Sequence, residues 1–409
     1  MNATINRPSL WMMALVVGLF SMLGALSIDI YFPSFGAMEV ALGASPASIQ
    51  QTLTAYMLPY AVASLFFGPL SDALGRRTIL LLSLIVFGVA SIACALSNSL
   101  EAILAWRAIQ GISAGAPKVL GRAIVRDLYP PEETQRTMAW VGVLFGVAPA
   151  CAPVLGGWLQ VTLGWQGPFV FVAAFTLAVA ALAWWKVPES HPQEKRLPLK
   201  LRSLLGQCGS LCIRSRFMGI SVLLGLGFAP VFLYIASAPR IVLDHWNLSE
   251  TDFGYLAIPM TAGMMIGGVA AAKLTGRIGR SLSISSGLLL TLFFAILTLT
   301  VAVAEVAPLW AVIPMALMAS CSSLIFPALT VEALEAAPEA RGTASSLSNA
   351  ISLAVIAIVG GVLSPVVSNT AQSLATAAIA LSVLALLTWV VVAAPWRKPY
   401  QSTLAGELP

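Results

Sequence analysis

The chain has 409 residues, of which 58% are apolar and only 10% are Asp, Glu, Lys or Arg. A soluble domain is about 45–50% apolar and about 25% charged, so this composition excludes a soluble enzyme and a disordered protein. The net charge of +5 comes without a basic cluster interleaved with aromatic residues, so nucleic-acid binding is not expected.

The apolar residues form stretches of membrane-spanning length. A helix needs roughly 20 apolar residues to cross a hydrocarbon core of roughly 30 Å, and Pro, Gly and charged residues divide the sequence into twelve such stretches. They are predicted at 11–32, 50–70, 78–97, 102–126, 137–160, 166–187, 217–239, 252–274, 281–303, 308–332, 342–365 and 371–394. Because these stretches lack period-two alternation, helices are favoured over a barrel. The predicted fold class is an all-α membrane protein with twelve transmembrane helices in two six-helix bundles.

The basic residues indicate the orientation of these helices. Most of the 22 Lys and Arg residues fall at the two ends of the chain or in the even-numbered connections, whereas Arg240 lies on the other side and Arg107 and Lys118 lie within a span. By the positive-inside rule, both termini are therefore expected to be cytoplasmic.

The longest connection, 188–216, is basic and rich in proline. It divides the chain into a predicted N-terminal six-helix bundle over 1–187 and a C-terminal six-helix bundle over 217–409. Its LKLRSLL stretch predicts an amphipathic linker helix on the membrane surface. The alternative is a plain block of charge that sets the topology.

The two halves resemble each other in sequence. Residues 68–77 read GPLSDALGRR and residues 272–280 read AKLTGRIGR, so that Arg76 corresponds to Arg280, an offset of 204 residues. The same offset relates Ser45 to Ser249, each just ahead of a span. A duplicated bundle predicts a central site between the two halves.

The connection 68–77 has the most specific pattern in the chain. Gly75 permits a tight turn between two helices, and Asp72 is then free to meet a helix N-terminus or a basic partner. A charged loop that only obeys the positive-inside rule is the alternative. As a whole, the pattern G-P-L-S-D-x-x-G-R-R resembles the loop signature of the major facilitator superfamily, G-x-L-x-D-x-x-G-R-[RK].

This resemblance implies a cytoplasmic gate around the connection. Asp72 would lie near Gly342 and Thr343 at the start of the eleventh span, and Arg76 would pair with Asp127. The implied gate residues are Gly68, Asp72, Gly75, Arg76, Arg77, Arg126 and Asp127.

The second half is expected to lack such an ionic latch. Gly276 stands where the first half has Asp72. Glu332 and Glu335, at the end of the tenth span, are interpreted as a solvated cap.

Two further spans extend the resemblance to essentially the whole chain. The R-A-I-Q-G-I-S-A-G segment, with Arg107, Gln110, Gly111 and Gly115, resembles the family's R-x-x-Q-G-x-x-x-[GA] segment. The fifth span resembles the drug/proton antiporter signature through Gly142, Gly146, Pro149, Pro153, Gly156 and Gly157. Intervals of four and three place positions 142, 146, 149, 153 and 156 on one helical face, which suits either close packing alone or rocking between two access states.

Three short segments narrow the resemblance within the superfamily. IDIYFPSF at 28–35, RAIVRDLYPPEE at 122–133 and RGTASSLSNA at 341–350 are similar to the bicyclomycin-resistance (Bcr/CflA) drug exporters.

Charged residues inside the spans are the candidate site. Asp29 in the first span is a candidate proton carrier, because a carboxylate at membrane depth is costly and is expected to face a cavity or a partner. Arg107 cannot practically deprotonate, so it would hold the charge state of an acid or bind a substrate oxygen. Structural pairing is the alternative for both residues, and Lys118 could instead snorkel to the boundary. The predicted substrate cavity contains Asp29, Tyr31, Arg107, Gln110 and Lys118, with proton coupling assigned to Asp29 and Arg107.

These patterns predict a transporter rather than an enzyme. The expected function is proton-coupled export of drugs or other small organic compounds across a bacterial inner (cytoplasmic) membrane, by a multi-pass monomer. Its partners would be a small-molecule substrate, protons and the lipid bilayer, with no nucleic acid, no metal and no cofactor beyond the proton gradient. If the three charges share the cavity, neutral, zwitterionic or anionic substrates are expected.

Two alternatives remain open from the sequence. The first is a proton-coupled importer on the same fold, and the second is a membrane receptor or assembly subunit that transports nothing.

Overall fold

The computed structural model describes residues 7–196 and 201–392, and the regular structure in these ranges is helical. The first half contains α1 (Leu10–Asp29), α2 (Phe35–Leu42), α3 (Pro46–Ser64), α4 (Phe67–Leu74), α5 (Arg76–Leu96), α6 (Leu100–Leu128), α7 (Pro131–Leu163) and α8 (Gly167–Lys186). The second part contains α9 (Leu201–Cys212), α10 (Ser215–Ala236), α11 (Gly254–Ile278), α12 (Arg280–Val303), α13 (Pro308–Glu335), α14 (Arg341–Ile358), α15 (Ser364–Val367) and α16 (Ala371–Val392).

Serine side chains define the start of three of these helices. The hydroxyls of Ser9, Ser45 and Ser99 each accept a hydrogen bond from the backbone N–H three residues later, at 3.4, 3.2 and 3.3 Å. Such caps satisfy one of the backbone donors that a helix leaves unpaired in its first turn. The first residues of α1, α3 and α6 are therefore set by local sequence.

Most of the predicted spans correspond to long helices. Within the described ranges, ten helical segments are long and apolar enough to cross a membrane, and the bent pair α3–α4 raises the number to eleven. The remaining long helix, α6, has 29 residues and is about 43 Å long, but Arg107 and Lys118 lower its hydropathy. The span order predicted from the sequence is retained in these helices.

The second span is not the single helix predicted over 50–70. It is broken between α3 and α4 with a bend of 54°, and most of the predicted loop at 68–77 is helical. Pro69 explains the break, because it has no N–H to give to the carbonyl of Leu65 and its ring clashes with that carbonyl.

The eleventh span is also interrupted. After α14, residues 359–363 form a π-helical turn that leads into α15. Pro365 cannot donate the hydrogen bond that an α-helix would supply to the carbonyl of Gly361. The carbonyl of Gly361, near the end of this span, is thus left for another partner.

The two halves meet along two helix pairs. α3 packs against α14, and α7 packs against α11. We call the end of the bundle where α1 begins and α16 ends the terminal face, and the opposite end, with residues 43–45, 164–166 and 237–249, the distal face. The positive-inside prediction makes the terminal face cytoplasmic.

The connection between the halves contains the helix α9, one of the two alternatives considered for the LKLRSLL stretch, of which residues 201–205 belong to α9; residues 197–200 lie outside the described residues. Leu211 of α9 is buried against Phe217, Ala344 and Leu347, and the hydroxyl of Thr343 donates to Gln207 Oε1 at 2.8 Å. α9 is therefore attached to the second half.

Candidate functional site

Asp29 lies at the end of α1 and faces a pocket between the two halves. Its residue is 8% exposed, and among the described residues it has no ion-pair partner. The pocket is lined by Asp29, Phe32, Pro149, Pro153, Ile235, Ala238, Phe253, Leu256, Ala257, Met260, Thr261 and Met264. A lone carboxylate among apolar side chains at membrane depth is a candidate for binding a proton or a cationic group.

The glycine and proline residues of α7 bring three elements together at this pocket. Pro149 and Pro153 line it. A Cβ atom at Gly156 would overlap the carbonyl oxygen of Ile30, and one at Gly157 would overlap the carbonyl oxygen of Glu250. Because glycine has no side chain, α7 can contact the backbone of its own half at Gly156 and that of the other half at Gly157.

The predicted face of α7 is not uniformly packed. Met265 lies 3.7 Å from a Cβ atom at Gly146, whereas nothing lies within 4 Å of one at Gly142. The close approach is thus concentrated toward the distal face.

Arg107 is buried inside the first half rather than in the pocket. Its Nε donates to Thr52 O at 3.2 Å, and its Nη1 donates to Ser27 O at 3.1 Å and to Gln110 Oε1 at 2.6 Å. Its Nη2 donates to the hydroxyl of Tyr31 at 3.2 Å. All of these acceptors are neutral, so Arg107 joins α1, α3 and α6 without a carboxylate partner.

Two aromatic rings complete the surroundings of this guanidinium. Its Cζ lies 4.6 Å from the ring centre of Tyr31 and 4.5 Å from that of Tyr56, which allows favourable cation–π contacts on both sides. Ser27 and Tyr31 are on either side of Asp29 in the sequence, so Arg107 holds the segment that carries Asp29.

The five residues predicted to share a cavity do not line one pocket in this conformation. Tyr31, Arg107 and Gln110 are buried in the first half, and the Nζ of Lys118 lies 5.4 Å from the ring centre of Phe145. Of these five residues, only Asp29 lines the pocket between the halves. Neutral, zwitterionic or anionic substrates were expected if Asp29, Arg107 and Lys118 share the cavity, and this condition is not met here, because only Asp29 lines the pocket.

We expect Arg107→Lys to lower the free energy of unfolding by about 2–4 kcal/mol. A lysine ammonium is a point donor that cannot reach acceptors on three helices or stack flat between two rings, so buried acceptors lose their partners. Thermal unfolding of the purified protein in detergent measures the change. Arg122→Lys, at an exposed position of the same helix, is the control, and equal unfolding temperatures for the two variants would contradict the assigned role.

Arg76 is the centre of the predicted gate on the terminal face. It forms ion pairs with Asp127 and, at 2.9 Å, with Asp72, so the implied pair with Asp127 is present. Glu189, just after α8, accepts from the backbone N–H groups of Arg76 and Arg77 at 3.0 and 3.2 Å. The start of α5 is thereby fixed by three carboxylates.

The other predicted gate residues surround this cluster. Gly75 has a φ of +102°, which favours glycine at the turn into α5. The hydroxyl of Ser71 donates to the carbonyl of Gly68 at 2.8 Å, and Arg126 is exposed. Asp72 makes its ion pair with Arg76, not with the start of α14, where Thr343 bonds to Gln207.

The second half has an ionic cluster that the sequence analysis did not expect. Arg280 pairs with Glu335 at 2.7 Å and with Glu332 at 3.8 Å, and Arg216 pairs with Glu332 at 3.3 Å. Interpreting the two glutamates as a solvated cap was wrong, as was expecting a latch in the first half alone. The sequence did contain an indication of this cluster: the position that corresponds to Asp127 at the offset of 204 residues is 331, next to Glu332.

A polar contact between the halves was also missed. Gln50 Nε2 donates to Ala236 O at 2.9 Å and to Ser364 Oγ at 2.6 Å, and Gln51 Nε2 donates to Gly361 O at 2.6 Å. We call these contacts the glutamine clasp. In the described part of the chain, they are the side-chain hydrogen bonds that join the two halves, and they lie toward the distal face.

The interrupted eleventh span explains the clasp. The carbonyl of Gly361, which Pro365 cannot serve, is the acceptor for Gln51. The glutamine clasp could not be predicted from Gln50 and Gln51 alone. Their acceptors lie at or near a break in another helix that is distant in the sequence.

The fold and this arrangement define a membrane transporter built from two helical halves. The chain belongs to the Major Facilitator Superfamily, whose family model matches residues 15–361. It is therefore a multi-pass secondary transporter for small molecules and not an enzyme.

Individual relatives narrow this assignment. The chain is 27% identical over 383 residues to the "Bicyclomycin resistance protein homolog" of Haemophilus influenzae, covering 93% of this chain and 96% of that protein. It is 26% identical over 355 residues to "Multidrug resistance protein D" of Escherichia coli, covering 84% of each. The resemblance to the bicyclomycin-resistance group is thus confirmed.

A solved structure supports the fold alone. The crystal structure of a D-xylose-proton symporter matches with a TM-score of 0.76 at 15% identity, covering 95% of this chain and 97% of that one. The predicted twelve-helix, two-bundle architecture agrees with this match.

Proposed function

We propose that this protein exports small organic compounds, antibiotics among them, in exchange for protons by alternating access. The observation that carries the proposal is the isolated Asp29 in an apolar pocket at the junction of the two halves. The names of the relatives, which refer to bicyclomycin and multidrug resistance, support export rather than uptake.

The proton gradient supplies enough energy for this cycle. One charge moving through 100 mV releases about 2.3 kcal/mol, and one pH unit adds about 1.4 kcal/mol. One proton per cycle therefore supports an outward substrate gradient of a few hundredfold.

Alternating access would come from rocking of the two halves. We assign residues 1–187 and 217–409 to the moving units and 188–216 to their linker. The glutamine clasp and the contact of Gly157 with Glu250 close the distal face, and the residues around Arg76 act at the terminal face. With the terminal face cytoplasmic, this conformation is closed toward the outside.

Asp29 and Arg107 would have different tasks in proton coupling. Asp29 binds the proton, and Arg107 positions it by holding Ser27 and Tyr31. Apart from the carboxylate of Asp29 and the hydroxyl of Thr261, the pocket is lined by apolar side chains, so it suits apolar compounds that are uncharged or carry one positive charge.

The direction of transport is tested with inverted membrane vesicles that contain the full chain. With respiration driving protons into the vesicles, labelled chloramphenicol, as a neutral probe, and labelled ethidium, as a cationic probe, are expected to accumulate inside. Loss of preloaded compound on energisation would instead indicate an importer. Failure to move either probe, or any of a wider compound panel, would support a receptor or assembly subunit.

We expect Gln50→Leu combined with Gln51→Leu to shift the protein toward a distal-open state. Three hydrogen bonds between the halves, each worth roughly 1 kcal/mol, are lost while the bulk of the side chains is kept. A cysteine introduced by Thr54→Cys, in a background without the five native cysteines, reports access from that face. Its labelling by an impermeant maleimide is expected to become up to about a hundredfold faster.

Gln160→Leu is the matched control for the clasp. Gln160 lies on α7 toward the same face, and its Oε1 has no hydrogen-bond partner among the described residues. Unchanged labelling in the double glutamine variant, or an equal increase with Gln160→Leu, would refute the clasp as a gate.

A further inference from the structure

A second pocket lies on the terminal face, far along α1 and α7 from Asp29. It is lined by Leu10 and Trp11 at the start of α1 and by Arg136, Thr137 and Trp140 in the first turns of α7. The rings of Trp11 and Trp140 have centres 4.5 Å apart and are 58% and 41% exposed. Exposed tryptophans at helix ends mark the level of lipid headgroups.

Three exposed side chains of different charge lie in a row along one face of α7. Glu132, Arg136 and Trp140 follow one another at intervals of four residues, which places them on one face about 6 Å apart along the axis. Glu132 is nearest the end of the helix and Trp140 is deepest. The series therefore runs from a negative charge, through a positive charge, to an aromatic ring at membrane depth.

Among the described residues, the two charges in this series have no ion-pair partner. Spacing of four residues allows Glu132 and Arg136 to pair, but in the described ranges neither takes part in an ion pair. Thr137, which is 1% exposed and also lines the pocket, has a hydroxyl with no hydrogen-bond partner among the described residues. Within the part of the chain that the structure describes, the pocket thus contains a cation and a buried hydroxyl without protein partners, which a ligand can bind.

We propose that this pocket binds the headgroup of a phospholipid that carries a primary amine, of the phosphoethanolamine type. The guanidinium of Arg136 binds the phosphate, since its forked donors match phosphate oxygens. The carboxylate of Glu132 accepts from the ammonium group. Trp11 and Trp140 pack on the glycerol and upper acyl region, and Thr137 is placed to bond an oxygen of the headgroup.

The order of the side chains favours this headgroup over other lipids. In a membrane the amine lies further toward water than the phosphate, and Glu132 lies further toward water than Arg136. An anionic headgroup without an amine would satisfy Arg136 but would face the carboxylate of Glu132. A quaternary amine has no N–H to donate to that carboxylate.

The test uses the purified full-length protein in detergent and measures lipid retained by native mass spectrometry. Phosphatidylethanolamine, phosphatidylcholine and phosphatidylglycerol with identical acyl chains are the probes. We expect preferential retention of phosphatidylethanolamine, reduced about fivefold by Arg136→Gln and by Glu132→Gln. Arg277→Gln and Glu194→Gln, at exposed positions elsewhere, are the charge-matched controls and are expected to retain wild-type binding.

Each other outcome would overturn the site. Preference for phosphatidylglycerol, with an effect of Arg136→Gln alone, would indicate a simple anion site. Equal retention of all three lipids, or equal losses in the control variants, would indicate a general lipid-facing surface. Unfolding temperatures without added lipid verify that the variants are folded, and the result does not depend on transport activity.

Discussion

The Asp29→Asn variant is expected to exchange substrate across a membrane but not to accumulate it. The amide keeps the size of the side chain and can still line the pocket, but it cannot carry a proton through the cycle. Accumulation driven by a proton gradient should therefore fall from up to a few hundredfold to the equilibrium level. Proteoliposomes measure both quantities, as gradient-driven uptake and as counterflow between equal substrate concentrations.

The control for Asp29 is a carboxylate outside the pocket. Asp244 pairs with Arg240 at 2.5 Å on the distal face, and Asp244→Asn is expected to preserve accumulation within about twofold, as for a surface ion pair. Gradient-driven accumulation that survives in Asp29→Asn would place the proton site elsewhere.

Gly157→Ala and Gly156→Ala should have large but different effects. Gly157 touches the other half through the carbonyl of Glu250, so a methyl group there prevents the distal face from closing and should reduce transport more than tenfold. Gly156 touches Ile30 within its own half, so its methyl group strains the bundle in every state and should lower the free energy of unfolding by about 1–3 kcal/mol. Transport rates and unfolding temperatures separate the two effects.

The same helix provides the matched control. A Cβ atom at Gly142 meets nothing within 4 Å, so Gly142→Ala should leave transport unchanged and add helix stability of up to about 1 kcal/mol. If all three alanine variants behaved alike, the close approach of α7 to its neighbours would not be part of the mechanism.

Helix positions and the packing face of α7 were predictable because they depend on local sequence. Apolar runs of membrane-spanning length bounded by Pro, Gly and charged residues gave ends within a few residues of α1, α5 and α8. The spacing of Gly156 and Gly157 indicated close packing, although it could not tell which helix each residue would meet. The break near Pro69 was not predictable from proline alone, because other prolines inside predicted spans, such as Pro117 and Pro230, lie within continuous helices.

The surroundings of the charged residues were not predictable, because they depend on distant parts of the chain. Its charge inside a predicted span suggested that Arg107 faces a cavity. In the structure, its partners are carbonyls and side chains from α1 and α3, which no local pattern reveals. The partners of Gln50 and Gln51 lie more than 180 residues away in the sequence.

The internal repeat of the sequence also pointed to the ionic cluster of the second half. The offset of 204 residues matches Arg76 with Arg280, but Gly276 stands at the position of the acid Asp72. Glu332 and Glu335 supply the carboxylates from α13 instead. Each half therefore has an arginine, Arg76 or Arg280, paired with carboxylates, but the carboxylates occupy different positions in the two repeats.

The central claim is that substrate leaves in exchange for a proton bound at Asp29. It is tested most directly in inverted vesicles with an imposed proton gradient and a pH-sensitive dye. Adding a transported compound should collapse the gradient in vesicles with the wild-type protein and leave it intact with Asp29→Asn. A compound that accumulates in wild-type vesicles without moving protons would contradict the account.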